Sequence, residues 1–347
     1  MPKRLGVGII GSGPVTQAIH LPALAWVRDL FEVEQVMDAN LDVARAVADR
    51  VGARATTSVS EVLDDPAVEV VAVCSPHRFH AEQTIAACRA GKKAVLCEKP
   101  VTLAVEQAEE VARVSRETGV PVIVGTMHTF DSGWTRARAA WGETAGSVHA
   151  IRSSIVLPPN PRMEDFATEV VGRPELVEPD FAGAEVRARI VYDGLMGVAI
   201  HNIPHVRSFL PPDQPVEIRD VRCLPPFGYQ VLATAGDCKI EWHCRMYDTW
   251  RPNWAFDAVA RDRALHIDFT PSYVQAGSAT ASIATPGRLT TFAPSVDNGY
   301  VEEWRVIAGL AHGALPAPDL SIIVDDLRLA LQVADSAAEF VRTEATR

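Results

Sequence analysis

Leu5-Gly6-Val7-Gly8-Ile9-Ile10-Gly11-Ser12-Gly13-Pro14-Val15-Thr16 is the stretch that decides the fold. Leu5–Ile10 is an unbroken apolar run, and it ends on G-x-G. Residues 16–27 then take up helical spacing at once. A strand apolar on both faces, passing through a glycine turn into a helix, opens a parallel sheet covered on both sides. Gly11 permits the tight turn, and Gly13 lets backbone N–H groups approach a pyrophosphate at the helix N-terminus. Pro14 is harmless in a first helical turn, where its N–H would have no intrahelical partner. Thr16 replaces the usual third glycine, so helix and strand are expected to pack slightly further apart.

Outward from this stretch the same alternation continues. Strand patterns fall at 33–37, 70–74, Ala94–Cys97 and Val122–Val124. Helical patterns fall at 41–51, 58–63, 80–90 and Val105–Thr118. Strands separated by helices predict a doubly wound domain over residues 1–125. Beyond it the pattern changes. A helix is expected at 134–141, an alternating strand at 147–156, and a long proline-rich loop or flap at 158–179. Residues 194–210 read as a helix broken by Pro204. Strand-like segments follow at 217–223, 229–234, 239–245, 255–260, 264–269 and 280–283. Their spacing predicts one large, open, mainly antiparallel sheet. Helices at 301–312 and 324–342 close the chain. The fold class is therefore α/β, a Rossmann sheet followed by an α+β domain over 126–347 whose closing helices, 301–347, are able to pack back on the first domain.

Composition bounds the function. The chain has 347 residues, 48% hydrophobic and 22% charged, which suits a globular protein. Its 33 basic and 44 acidic side chains give a formal charge of −11. An acidic chain has no general hold on nucleic acid or on an anionic membrane, so neither is an expected partner. Six cysteines occur without a C-x-x-C pair, which argues against a disulfide framework or structural zinc. No signal segment or membrane span is read, and a cytoplasmic protein is expected. The five lysines are Lys3, Lys92, Lys93, Lys99 and Lys239, so a lysine inside a motif stands out.

Asp38 ends the second strand, 22 residues past Thr16. A carboxylate there is placed to accept from both ribose hydroxyls of NAD and to repel a 2′-phosphate, so NAD is favoured over NADP. A solvated turn aspartate is the alternative. Glu98-Lys99-Pro100 follows the strand Ala94–Cys97, at the carboxyl end where such sheets bind ligands. The Lys99 ammonium there can donate to an oxygen that gains negative charge as hydride leaves carbon. Cys74-Ser75-Pro76-His77-Arg78-Phe79-His80 follows the strand before it.

Together with His201, these motifs resemble the Gfo/Idh/MocA oxidoreductases, typified by glucose–fructose oxidoreductase and inositol dehydrogenase. The resemblance covers nearly the whole chain, and the E-K-P tripeptide is its most specific part. It implies an NAD-dependent dehydrogenase acting on a secondary alcohol of a cyclic polyol or sugar: a cyclitol, sugar, nucleotide sugar or aminoglycoside. It implies Lys99 and His201 as catalytic residues. It also implies a cofactor site of Gly11, Ser12, Gly13, Pro14, Val15, Asp38, Ser75, Pro76, His80, Glu98 and Lys99, and a cis peptide before Pro100. His80 alternatively caps its own helix.

The sequence departs from the family at one place. The family's catalytic Asp lies four residues before its His, and here that position is Gly197. Asp193 or His205 are the candidate substitutes on the substrate side, with His128 and Trp250. His128 alternatively belongs to the domain linker, and the aromatic segment around Trp250 to a core or subunit contact. His201 and His205 have i,i+4 spacing, but no Glu stands between them as a zinc-protease helix requires, so no metal is expected. Two rival functions stay open: a dinucleotide-binding sensor without turnover, and NAD-assisted glycoside cleavage. An outer sheet face bearing Trp242 and Tyr247 predicts a homodimer or homotetramer through the second-domain sheet.

Overall fold

A computed structural model describes residues 3–142, 148–175, 181, 183–211 and 214–344. β1, Leu5–Ile10, is buried along its whole length, as a strand covered on both faces must be. It pairs in parallel with β2, Phe31–Met37, on one side and β4, Val70–Val73, on the other. β3, Arg54–Thr56, lies beyond β2, while β5, Ala94–Cys97, and β6, Val122–Val124, extend the other edge. The order β3-β2-β1-β4-β5-β6 is the doubly wound one, and the connection reverses between β1 and β4. The helices between strands are α1, Leu21–Trp26, α2, Leu41–Asp49, α3, Val59–Asp64, α4, His80–Arg89, and α5, Val105–Thr118. Asn40 caps α2 by accepting from the Asp42 N–H, and Ser58 caps α3 by accepting from Glu61.

The chain divides into two units by its internal packing. The first unit comprises residues 1–126 with 164–175 and 300–327. It thus takes in the end of α7, Asn160–Ala167, and most of α10, Gly299–Ala311. The second comprises 127–163, 176–299 and 328–347.

The second unit is built on an eight-stranded sheet. β7 is Val148–Leu157, β8 Val216–Cys223, β9 Phe227–Ala235 and β10 Cys238–Met246. β11 is Asn253–Ala260, β12 Ala264–Asp268, β13 Thr280–Thr285 and β14 Arg288–Phe292. The order is β14-β13-β12-β11-β7-β10-β9-β8, and all pairs are antiparallel except β7 with β10. Alternation sorts the faces. Trp242, Cys244, Trp254 and Phe256 are buried on one face, where Phe256 meets Trp134 of α6, Ser132–Trp141, and Tyr229 packs at Gly194 of α8, Ala184–Gly197, whereas Arg152, Lys239 and Arg245 stand on the open face.

Several expectations need correction. Trp242 is fully buried, so it does not lie on the open face. A period of two sends it to the side opposite its neighbours Glu241 and His243. The segment 158–179 contains α7, which starts at Asn160 with Pro161 in its first turn, where proline is tolerated. Residues 176–179 lie outside the described residues, as does Ser147. The expected helix 194–210 is three pieces: the end of α8, a single 3-10 turn Ala199–His201, and α9, Ile203–Arg207. The break falls at Val198, and Pro204 instead opens α9. The short strands β3 and β14 were also absent from the sequence reading. All six cysteines are free thiols.

Candidate active site

In the first unit the glycine loop turns at Gly11, whose φ of +96° is the left-handed region open to glycine. A Cβ there would sit 2.6 Å from the Cys74 carbonyl and Ser75 nitrogen, so the loop can lie against the end of β4 only as glycine. A Cβ built on Gly13 meets nothing within 4 Å, which leaves open space at the start of the helix. Thr16 is fully buried and its hydroxyl donates to Gly11 O at 2.6 Å, tying the loop closed. The first turn, Thr16–His20, is widened to π geometry. Pro14 and Val15 lie between loop and turn.

Asp38 closes on the same loop. Its Oδ2 accepts from Ser12 N–H at 3.0 Å and from the Ser12 hydroxyl at 3.1 Å, and its Oδ1 accepts from Asn40 N–H. Loop, open space and carboxylate fit the phosphates and ribose of a dinucleotide. After β4, Ser75 donates from its hydroxyl to Gln83. His80 is buried, with Nδ1 2.7 Å from Pro100 O and Nε2 2.6 Å from Ser75 O, so it joins the loop after β4 to the loop after β5. Pro76 precedes a 3-10 turn, His77–Phe79.

The Lys99–Pro100 peptide is cis, as expected. Lys99 is half-buried, and desolvation pulls its ammonium pKa down against the pull of the neighbouring Glu98 carboxylate. Both Glu98 oxygens are engaged: Oε1 with His20 Nε2 at 3.0 Å, and Oε2 with Lys99 N–H at 3.0 Å. Burial alone would raise the Glu98 pKa, but His20 and Lys99 hold it below the usual range. Burial likewise opposes charge on His20, yet Cys74 and Glu98 raise its pKa well above that of free imidazole. Glu303 on α10 is fully buried beside this pair. Burial first, and the Glu98 charge second, raise its pKa well above the usual carboxyl range, against a smaller opposing pull from His20. Neither Glu303 oxygen has a hydrogen-bond partner among the described residues. The Trp304 ring meets the His20 ring edge-on at 5.9 Å.

In the second unit His128, His201 and His205 come together. The ring centroids of His128 and His201 are 6.2 Å apart, and those of His128 and His205 are 6.4 Å apart. Phe269 stacks on His128 at 4.0 Å, and Trp254 meets it edge-on at 4.6 Å. Asn202 organises the cluster. Its Oδ1 accepts from Trp254 Nε1–H at 3.2 Å, and its Nδ2 donates to the Ser153 hydroxyl at 2.9 Å. Indole N–H only donates, so the atom it meets must be the amide oxygen. His128 Nδ1, 3.3 Å from the same oxygen, therefore carries its proton, and Nε2 is left as a buried lone pair without a described partner. Burial, then His205, push the His128 pKa well below its ordinary value. His205 is fully buried against Trp134 at 4.1 Å, and burial pushes its pKa down to about 3. His201 is 7% exposed.

Gly197 has nothing within 4 Å of a built Cβ, so the missing carboxylate leaves space rather than a filled contact. Asp193 is exposed and pairs with Arg189 at 3.4 Å. Trp250 is 87% exposed. The geometry brings neither to the histidine cluster. Among the described residues no group of three His, Cys, Asp or Glu is placed to hold a metal. No described helix is long and apolar enough to cross a membrane. Sequence reasoning missed His20, Glu303, Asn202, Ser153 and Gln17. His20 carried a local signal, as a histidine at the end of the turn that follows the glycine loop. The others are joined to the site by tertiary packing.

The oxidoreductase family with an NAD-binding Rossmann fold matches residues 5–126. That family is the Gfo/Idh/MocA oxidoreductases, and its model matches about a third of this chain. The D-glucoside 3-dehydrogenase of Escherichia coli K12 is 37% identical over 133 residues, 36% of this chain and 36% of that protein. The matched stretch is thus about a third of the relative's own length. Solved structures extend the likeness of fold. The UDP-N-acetylglucosamine 3-dehydrogenase of Acidithiobacillus ferrooxidans superposes with a TM-score of 0.73 at 19% identity, over 98% of this chain and 99% of that one. A 3-ketoreductase from Actinomadura kijaniata, solved with NADP and TDP-benzene, superposes with a TM-score of 0.69 at 21% identity, over 98% of each chain.

Proposed function

We propose that this chain is an NAD-dependent oxidoreductase acting on a secondary alcohol of a sugar, cyclitol or nucleotide sugar. The observation that carries the reading is Lys99, half-buried after β5 beside an ionised Glu98, in a unit whose glycine loop and Asp38 suit a dinucleotide. When bound, the nicotinamide accepts or returns a hydride. The protein's own part is to hold the alcohol and manage its proton. Lys99 donates to the substrate oxygen as negative charge grows there. His201 takes the hydroxyl proton, with His128 beside it as a substrate-side group. Asp38 selects NAD over NADP by accepting from the ribose hydroxyls. The related structure solved with NADP makes this selection the point to measure.

The test follows absorbance at the nicotinamide band with NAD and then NADP over a panel of cyclitols, free sugars and nucleotide sugars. Turnover with at least one, abolished in Lys99→Ala, supports the reading. Dinucleotide binding without turnover across the panel would favour the sensor, which Gly197 in the catalytic-Asp position keeps in view. We also propose self-association through the open sheet face, which carries Leu232 and Val259 among charges such as Arg152 and Glu241. A monomer in sedimentation would remove it.

A further inference from the structure

Gln17 follows the glycine loop, in the widened turn, and the residue is 2% exposed. Nε2 donates to Ser12 O at 2.8 Å and to Val171 O at 2.9 Å. Oε1 accepts from Val171 N–H at 2.9 Å and from Arg50 Nη1 at 3.3 Å. Two donors and two acceptor positions are all used, which is the full capacity of a primary amide. The orientation is forced, because two carbonyls face the nitrogen and two N–H donors face the oxygen.

Val171 belongs to the segment 164–175, which the sequence supplies from after β7 but which packs in the first unit. Arg50 also donates to Glu169 O at 2.9 Å. Gly172, at φ +70°, lies against α2, and a Cβ there would be 2.6 Å from Val43 Cγ2. Arg173 pairs with Glu164 at 2.9 Å and with Asp165, joining the two ends of the segment. The segment is therefore docked on the turn after the glycine loop, through Gln17, and along α2, from Val43 in its first turn to Arg50 at its C-terminal end.

The bond to Ser12 O has a consequence for the loop. A trans peptide is planar, with its C=O and the next N–H pointing opposite ways. Fixing Ser12 O toward Gln17 therefore aims the Gly13 N–H to the other side. On the far end of the same residue, Ser12 N–H is held by Asp38. One amide thus sets the loop's donor direction and grips the backbone of the docked segment.

We infer that Gln17 is a positioning residue for the dinucleotide and that segment 164–175 is part of its binding site. Docking of the segment and binding of the cofactor then favour one another. This rests on the cofactor reading above. Such coupling is reciprocal: the factor by which docking tightens binding is the factor by which binding tightens docking.

The experiment measures amide hydrogen exchange in peptides covering 164–175 and the Kd for NADH by fluorescence titration. Wild type, Gln17→Leu and Gly172→Val are compared. Gly172→Val lifts the segment from α2 without touching the loop, so it guards against misfolding of the Gln17 variant. NADH is expected to slow exchange of the segment at least fivefold in wild type. Both variants are expected to exchange faster without ligand and to bind NADH about tenfold more weakly. Wild type that binds NADH with unchanged exchange in 164–175, or a loosened Gly172→Val that binds as wild type, overturns the inference alone. Wild type that binds neither NADH nor NADPH overturns the cofactor reading and this inference with it.

Discussion

His20 in the first unit and His128 with His205 in the second are equally buried, yet they hold opposite charge states. Desolvation acts on all three and disfavours the imidazolium. His20 escapes because Cys74 and the Glu98 carboxylate, 3.0 Å away, both favour the charged ring. The second cluster is surrounded by Trp134, Trp254, Phe256 and Phe269, with an amide, Asn202, as its organiser. An amide fixes a ring without charging it. The first cluster thus secures an ionised Glu98 beside Lys99, whereas the second keeps His128 and His205 neutral with buried lone pairs.

The sharpest way to break this contrast is to remove the charge that the first cluster supports. Lys99→Ala is expected to lower turnover by about 10³-fold or more, the scale of losing an aligned donor or acid–base group. NADH affinity is expected to stay within roughly threefold, since the proposed cofactor site rests on the glycine loop and Asp38. Steady-state rates and a fluorescence titration measure the two separately. Retained turnover would reduce the His20–Glu98 pair to a purely structural role. Next in size is His201→Ala, where loss of the proposed proton acceptor is expected to lower turnover by about 10²-fold. An unchanged rate would move that role elsewhere in the second unit.

The two units also differ in how far their sequence discloses them. β1, β4 and β5 are continuous apolar runs ending at turn residues, and that pattern carries their pairing with it. The second sheet reads by alternation, which a shift of one residue reverses, and so Trp242 was assigned to the wrong face. α7 was hidden because proline in a first helical turn looks like proline in a loop. Of the site, Lys99 and Asp38 were legible from motif and spacing. Glu303 is not near Glu98 in sequence, and Val171 is 154 residues from Gln17, so no local pattern announces either association. Asn202 has its partners Trp254 and Ser153 at 52 and 49 residues' distance in sequence, so its organising part is set by tertiary packing.

A smaller effect is expected at Asp38, and it sharpens what the first unit recognises. Asp38→Ala removes the acceptor of the Ser12 N–H and hydroxyl bonds and of the bond from Asn40. The Kd for NADH is expected to rise about tenfold, worth roughly 1.4 kcal/mol, and that for NADPH to fall or hold. Competitive titration of the two reduced cofactors measures the ratio. An unchanged ratio would leave Asp38 as a loop anchor without a part in selection.

The last and smallest effect concerns stability, and it sets the two clusters against each other by sign. Glu303 has a folded pKa above its unfolded value near 4.5, so the folded state holds the extra proton. Its contribution falls as pH rises through that window, by up to about 1.4 kcal/mol per unit. His205 has a folded pKa of about 3 against 6.5 unfolded, so here the unfolded state holds the extra proton. Its contribution falls as pH drops below 6.5, with the same limiting slope. Urea midpoints for wild type, Glu303→Gln and His205→Phe between pH 5 and 6.5 separate the two. Relative to wild type, Glu303→Gln is expected to gain stability as pH rises, because a neutral amide has no proton to lose. His205→Phe is expected to gain as pH falls, because its ring has no proton to accept. The comparison is one of slopes, so a constant packing change in either variant does not disturb it. Parallel slopes in all three proteins would mean that neither buried group titrates across folding, and the contrast between the clusters would then lie in geometry alone.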